Sequence, residues 1–359
     1  MTVSMRRTLV LSIVASAMLM QSAFAAESPS PPAPAGIAVD GDGNVYVSDY
    51  AQDRVVKFGA DGVVLGQWGG SGNGPGQLNA PFGVAVDDHN TLFVVDQLNN
   101  RVQHFAADGS VLGAWGSAGA GASELRTPFG VAVAGGRVYV ADFGNDRVQV
   151  FAPDGTLVTS LGGRGSGDGQ FLRPAGVAVD RDGTLYVTDH FNDRVERFSG
   201  EGGFQAQIGT LQVGSVAAST AAATGTVTAL ATPTAALTQT PSLAPTLVAT
   251  PPATPMPAQP AQATSLPDAQ LRRPEGIAVD REGNLWVADY GSDRVVKLSP
   301  DGRLLLSWGS HGSEPGEFVG PKGVAVDPTT GRLYVADTGN ARVQRLGPDG
   351  TAEATWPLP

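Results

Sequence analysis

The chain has 359 residues, a formal net charge of −11 at pH 7, 48 glycines, 26 prolines and no cysteine. Without cysteine there is no disulfide, thiolate metal site or lipidated cysteine, so cohesion has to come from apolar burial. The acidic balance argues against nucleic acid or an anionic lipid surface as the main partner.

Residues 1–25 read as a secretory signal peptide: Arg6 and Arg7, an apolar run from Leu9 to Met20, and small residues at Ala23 and Ala25. Ser12 and Ser16 interrupt the run, which is short of the roughly 20 residues that span a bilayer. No membrane span is expected after cleavage, and the destination is secreted or extracytoplasmic. Loss of the two arginines takes the net charge from −11 to −13. Arg6-Arg7 followed by Thr8-Leu9 also loosely fits a twin-arginine signal, which leaves the export route open. Residues 26–35 form a Pro/Ser-rich lead-in.

From there the chain repeats. Pro-x-Gly ahead of an apolar strand recurs at Gly36, Gly83, Gly130, Gly176, Gly276 and Gly323, at intervals of 47, 47, 46, 100 and 47 residues. Each unit runs through Gly-(Ile/Val)-Ala-Val, an Asp-Gly type of turn, and a second strand with an aromatic at Tyr46, Phe93, Tyr139, Tyr186, Trp286 or Tyr334. An Arg-Val third strand and a fourth strand ending in Trp-Gly or a relative complete it. Four short strands repeated six times predict an all-β, six-bladed β-propeller of four-stranded antiparallel blades. Both strand faces are apolar, as expected for blades sandwiched between neighbours. Blades one to four fall in 36–209 and blades five and six in 267–359.

The long interval places an Ala/Thr/Pro-rich insert at 210–266, inside a stretch from Glu201 to Asp268 that has no charged residue between its ends. It has too few large apolar residues to offset the entropy of ordering, and disorder is expected. It reads as a spacer, with an O-glycosylated segment, tether or lid as the functional alternative.

The period, together with Pro-x-Gly-(Ile/Val)-Ala-Val-Asp, Tyr-Val-Ala-Asp and Asn-x-Arg-Val-Gln-x-Phe, resembles the NHL-repeat family. The third unit, PFGVAVAGGRVYVADFGNDRVQVF, is a close match. The resemblance implies a six-bladed propeller but no single function, since relatives serve as protein-binding, RNA-binding, sensor and enzymatic domains.

Six Asp/Arg pairs five residues apart recur in register: Asp49/Arg54, Asp96/Arg101, Asp142/Arg147, Asp189/Arg194, Asp289/Arg294 and Asp337/Arg342. None differs from the rest, so they are expected to be framework ion pairs with two-pronged Arg–carboxylate geometry. Asp40 to Asn44, DGDGN, has the start of a calcium loop without its later ligands and fits a hairpin turn. The glycine-rich loops lack the context of a phosphate cradle.

Some six-bladed relatives, such as the peptide-amidating lyases, bind zinc through histidines. Here there are four, His89, His104, His190 and His311. The first two read as surface residues and the last two lack an evident third ligand. No cofactor, metal or catalytic residue is expected.

Alternating strand directions gather the long interblade loops at one end and tight turns at the other, which makes the loop-rich end the binding face. Tyr50, Phe143, His190, Phe191 and Tyr290 are the candidates, at positions where unit six carries Thr338 and Gly339. Phe82 and Phe129, in Pro-Phe-Gly, read equally well as packing over neighbouring blades. The expected function is a monomeric, non-catalytic scaffold for a protein, peptide or glycan, with no nucleic acid partner. The alternative is a propeller enzyme of the lyase or lactonase type with its site at the channel mouth.

Overall fold

The computed structural model describes residues 30–209, 212–213 and 270–359. The expected signal peptide and nearly all of the insert lie outside the described residues. Six sheets stand in a ring, each built on four antiparallel strands in sequence order, and the sheet of blade five has a fifth, short strand at its edge. Blade one is Pro34–Val39, Val45–Asp49, Arg54–Phe58 and Val64–Gly69. The same four-strand pattern restarts at Pro81, Val131, Pro174, Pro274 and Pro321.

The core lies between blades. Second strands such as Val45–Asp49 are buried at every residue, because β-branched and aromatic side chains face a neighbouring blade on both sides. One such layer packs Tyr46, Val55 and Leu78 of blade one against Leu92, Val94 and Phe105 of blade two. Fourth strands form the outer edge and keep one face wet, with Leu65 and Leu112 exposed.

Around the axis the backbones touch. A Cβ on Gly36 would overlap the carbonyl oxygen of Phe82 in the next blade, and the same collision recurs from Gly83 through Gly323, which abuts Ala35. Only glycine allows that approach, which is the physical reason for the repeated Pro-x-Gly. A narrow axial cavity of about 60 Å³ remains.

Among the described residues no strand is exchanged at the junction of blades six and one. Trp356 of the last strand stacks on Phe58 at 5.6 Å, within an apolar layer that joins Ile37 and Val47 to Tyr334, Val343 and Leu358. Arg345 Nη1 donates to the Ala60 carbonyl at 2.8 Å and Thr338 Oγ1 to that of Pro34 at 2.6 Å.

One feature departs from the expected spacer. Gln212–Val213 forms a short strand parallel to Arg303 and Leu304, on the outer edge of blade five. The stretch expected as a free insert from residue 210 thus begins with backbone paired to the neighbouring blade.

Candidate functional site

Each second strand ends in an aspartate with no exposed surface. The arginine five residues on places Nε against Oδ2 at 3.1, 2.7, 2.8, 3.0, 2.6 and 2.6 Å in blades one to six. All six expected ion pairs form, but not in the expected two-pronged geometry. Arg54, Arg101, Arg147, Arg194, Arg294 and Arg342 each reach their aspartate through Nε alone.

The reason lies in what the terminal nitrogens do instead. Arg101 donates to the carbonyls of Asn73, Gly74 and Gln77 in the preceding interblade loop. Arg147 Nη2 donates to those of Gly121 and Glu124, and Arg194 to those of Ser166, Gly167 and Gln170. Arg294 Nη2 donates to Gln270, and Arg342 to Ser313, Glu314 and Glu317. In blade one, where no interblade loop precedes among the described residues, Arg54 turns to Gln67 Oε1 at 2.7 Å and to the Pro359 carbonyl. The aspartate Oδ1 accepts a backbone N–H from the same loop, as Asp96 does from Asn79 at 2.7 Å. From blade two to blade six, each pair therefore ties a loop to its blade in the same way.

Two further devices fix the mouth. After each second strand the chain makes a tight turn, a single 3-10 turn in blades two to six such as Phe143–Asn145 and His190–Asn192. A left-handed residue follows: Asp53, Asn100, Asp146, Asp193, Asp293 or Ala341. In blades one to five its Oδ1 accepts the N–H of the residue before the next Pro-x-Gly proline, at 2.6 to 2.9 Å. Blade is stapled to blade at the loop-rich end.

The residue inside Pro-x-Gly and the residue after the strand-ending aspartate meet there. The Phe82 and Phe129 rings lie 4.2 Å apart, and Phe129 stacks on Phe143 at 4.1 Å and 12°. His190 continues the arc, 6.2 Å from Phe143, 4.8 Å from Phe191 and 6.4 Å from Tyr290. Lys322 of blade six closes it. Its Nζ is 4.7 Å from the Tyr290 ring centre, 5.3 Å from that of Phe82 across the axis, and 3.2 Å from both Glu275 carboxylate oxygens. Arg173 lies over Phe143 at 5.3 Å and Arg273 over Phe191 at 6.0 Å.

Burial pushes the Glu275 carboxyl up, against the pull of Lys322. Burial likewise holds the His190 imidazole below its usual value, and the positive charges of Lys322 and Arg273 act in the same direction. His190 is therefore neutral at pH 7, with Nδ1 3.3 Å from the Pro274 carbonyl oxygen.

Of the residues singled out from sequence, Phe143, His190, Phe191 and Tyr290 come together. Tyr50 stands apart on blade one, 38% exposed, with no ring contact to the others among the described residues. His190 is only 7% exposed, so it supports Phe191 and Tyr290 from beneath rather than meeting a ligand. Glu275, Lys322, Arg173 and Arg273 were not singled out, and Phe82 and Phe129 belong to the arc. The signal for most of them was present: between the recurring proline and glycine, the six copies read Ala35, Phe82, Phe129, Ala175, Glu275 and Lys322.

The remaining histidines are dispersed. His89 is exposed in a turn, and His311 is exposed with Nδ1 2.9 Å from Asp293 Oδ2. His104 is half-buried between Phe93 and Trp115, at 5.8 and 5.5 Å, not on the surface as expected. Among the described residues no group of three or more His, Cys, Asp or Glu is arranged to hold a metal ion. In the DGDGN segment Asp40 Oδ1 accepts the N–H groups of Asp42 and Asn44, which makes it a closed hairpin turn.

The NHL repeat family model matches residues 125–151, 171–198 and 318–346, in blades three, four and six. The model for the SMP-30/Gluconolactonase/LRE-like region matches residues 242–315. Peptidylglycine alpha-amidating monooxygenase of Rattus norvegicus is 41% identical over 63 residues, 16% of this chain, and its Mus musculus counterpart matches to the same extent. The chain spans about 6% of the length of these curated relatives.

Among solved structures, virginiamycin B lyase from Staphylococcus aureus superposes with a TM-score of 0.52 at 12% identity, over 91% of this chain and 85% of that one. A gluconolactonase from Xanthomonas campestris gives 0.52 at 18%, over 92% and 88%. Kuenenia stuttgartiensis hydrazine synthase gives 0.54 at 15%, over 89% and 96%. At these identities the likeness is one of fold. With family-model repeats in three blades and the same strand pattern in all six, the chain is an NHL-repeat six-bladed β-propeller.

Proposed function

We propose that the chain is an exported binding scaffold that takes a protein, peptide or glycan ligand across its loop-rich mouth. The observation that carries this reading is the aromatic arc closed by Lys322: Phe82, Phe129, Phe143, Phe191 and Tyr290 occupy positions where other blades carry alanine, glutamine or threonine. The framework does not require them, and clustered aromatic side chains on a rigid rim supply contact area at low entropic cost. Peptide and glycan arrays probed with the full chain and with Phe143→Ala and Tyr290→Ala variants test it. The variants are expected to stay within about 1 kcal/mol of the parent in stability yet lose about 1–2 kcal/mol of binding. Variants that melt early and bind normally would show these rings to be caps on the blades.

The second reading is an enzyme of the lyase or lactonase type at the same mouth, favoured by the SMP-30/Gluconolactonase/LRE-like match. The donors present do not fit a metal, since the one imidazole of the arc is buried against a carbonyl. Acid–base chemistry would fall to Glu275 and Lys322, now paired with each other. Turnover of a lactone that disappears in Glu275→Gln would favour this reading.

A further inference from the structure

Cations gather on one arc of the mouth. The two residues before the Pro-x-Gly proline are Pro32-Ala33, Asn79-Ala80 and Val319-Gly320 in blades one, two and six, but Arg126-Thr127, Leu172-Arg173 and Arg272-Arg273 in blades three, four and five. Arginine is thus no part of the framework at these positions. Arg173 and Arg273 sit at φ 61° and 47°, in the left-handed region where Gly320 of blade six is the unstrained choice. Ala80 and Thr127 share that conformation in blades two and three, so the framework sets the backbone at this position and does not set the side chain.

The carboxylates nearby are engaged. Glu275 pairs with Lys322, and Asp146 and Asp193 accept the backbone N–H groups of Arg173 and Arg273 themselves. The bases of both arginines are pinned while their guanidinium groups lie over Phe143 and Phe191, with no carboxylate partner among the described residues. Meanwhile the tight turns at the opposite end carry aspartates such as Asp61, Asp108, Asp154 and Asp349.

We propose that the mouth binds an acidic peptide segment, with Arg173 and Arg273 receiving its carboxylates and the Phe129–Phe143 stack receiving an aromatic or aliphatic neighbour. This rests on the reading of the mouth as a binding site. The axial cavity, about 60 Å³, is too small to admit more than a side-chain tip, so the ligand lies across the rim. Charge complementarity selects the carboxylates, since guanidinium and carboxylate match in two-pronged geometry once a ligand oxygen pair is available. Arginine beside aromatic rings is also the composition of the energetic centre of peptide and protein interfaces.

The test uses the full chain and fluorescein-labelled peptides: Gly-Glu-Phe-Glu-Gly and its counterpart with glutamine for glutamate. Fluorescence anisotropy is expected to show the glutamate peptide binding about tenfold tighter, a difference worth about 1.4 kcal/mol. That preference should shrink from about 50 to about 500 mM salt. Arg273→Gln and Arg173→Gln should each remove most of it without lowering the melting temperature. Arg303→Gln, at an exposed site on the turn end, should change nothing. Equal binding of both peptides, weakened by Phe143→Ala, would overturn the acidic preference and leave the mouth as a binding site. Binding of oligogalacturonate and of neither peptide would overturn it in favour of a glycan. Binding of neither peptide nor oligogalacturonate would also overturn it. Peptide binding insensitive to Phe143→Ala and Tyr290→Ala would remove the mouth reading itself.

Discussion

Glu196 breaks the pattern of a repeated position. The third-strand residue two after the paired arginine is Gln103, Gln149 and Gln344 in blades two, three and six. There the amide donates both to a loop carbonyl and to the buried aspartate, as Gln103 Nε2 does to Gln77 and to Asp96. Glu196 stands in the same place in blade four, fully buried, with Oε1 2.5 Å from Arg194 Nη2. An ionised carboxylate has no proton to offer Asp189. Burial pushes the Glu196 carboxyl up to about 7, against the attraction of Arg194.

Because that folded-state value lies above the ordinary 4.5, the acid form stabilises the fold. The contribution is complete below about pH 4.5 and is lost as pH rises through about 7. Glu196→Gln should therefore raise stability at pH 8 by on the order of 2 kcal/mol and remove this part of the pH dependence. Melting curves from pH 5 to 8 check it. A variant whose melting temperature tracks the parent at every pH would show that Glu196 does not titrate in this window. Spacing alone made the Asp/Arg pairing legible, because five residues bridge one turn between two strands. The number of prongs was not legible, since it depends on carbonyls some 24 to 28 residues earlier in the chain.

At the level of strands and turns, alternation and Asp-Gly signals marked the elements, but the reason for the terminal Trp-Gly was hidden. Each fourth-strand side chain lies against the glycine of the next blade's last turn: Trp68 at Gly109, Trp115 at Gly155, Leu161 at Gly202, Ile208 at Gly302, Trp308 at Gly350 and Trp356 at Gly62. That glycine is in the left-handed region in all six blades. It thus meets two demands at once, the turn and the indole. Trp308 Nε1 also donates to the Asp349 carbonyl at 3.1 Å.

Gly350→Ala would put a methyl group into the Trp308 indole and should cost about 2 kcal/mol or more. Gly316→Ala has the same φ of +85° but open space around it, and should cost only about 1 kcal/mol. Thermal or denaturant unfolding of the two variants separates backbone strain from packing. Equal losses would mean that the indole moves aside freely.

At the scale of the whole molecule, six units and their order were legible because the framework repeats at a fixed period. The mouth was only half legible, because residues from blades two to six assemble it and its charged members, Glu275 and Lys322, each appear once. Periodicity reports what recurs, and this site is built from what does not. The staple between blades shows the same limit. It is present at five junctions and missing at the sixth, where Ala341 has no side-chain acceptor and the apolar layer around Trp356 joins the blades instead.

That seam also means the ring has no privileged first blade. Gln52 Nε2 of blade one donates to the Ser30 carbonyl at 3.0 Å, and Arg54 donates to the carbonyl oxygen of Pro359. Ser30 and Pro359 therefore meet the same loop of blade one. A few linking residues can join them, and the chain can be opened instead between residues 214 and 269, at the long interval between blades four and five. Such a circular permutant keeps every blade whole and changes only the order in which the blades are made. It should unfold in one cooperative transition, at a melting temperature close to the parent's. Two transitions would show that the order of synthesis, and not the closed cycle of blade contacts, determines the fold.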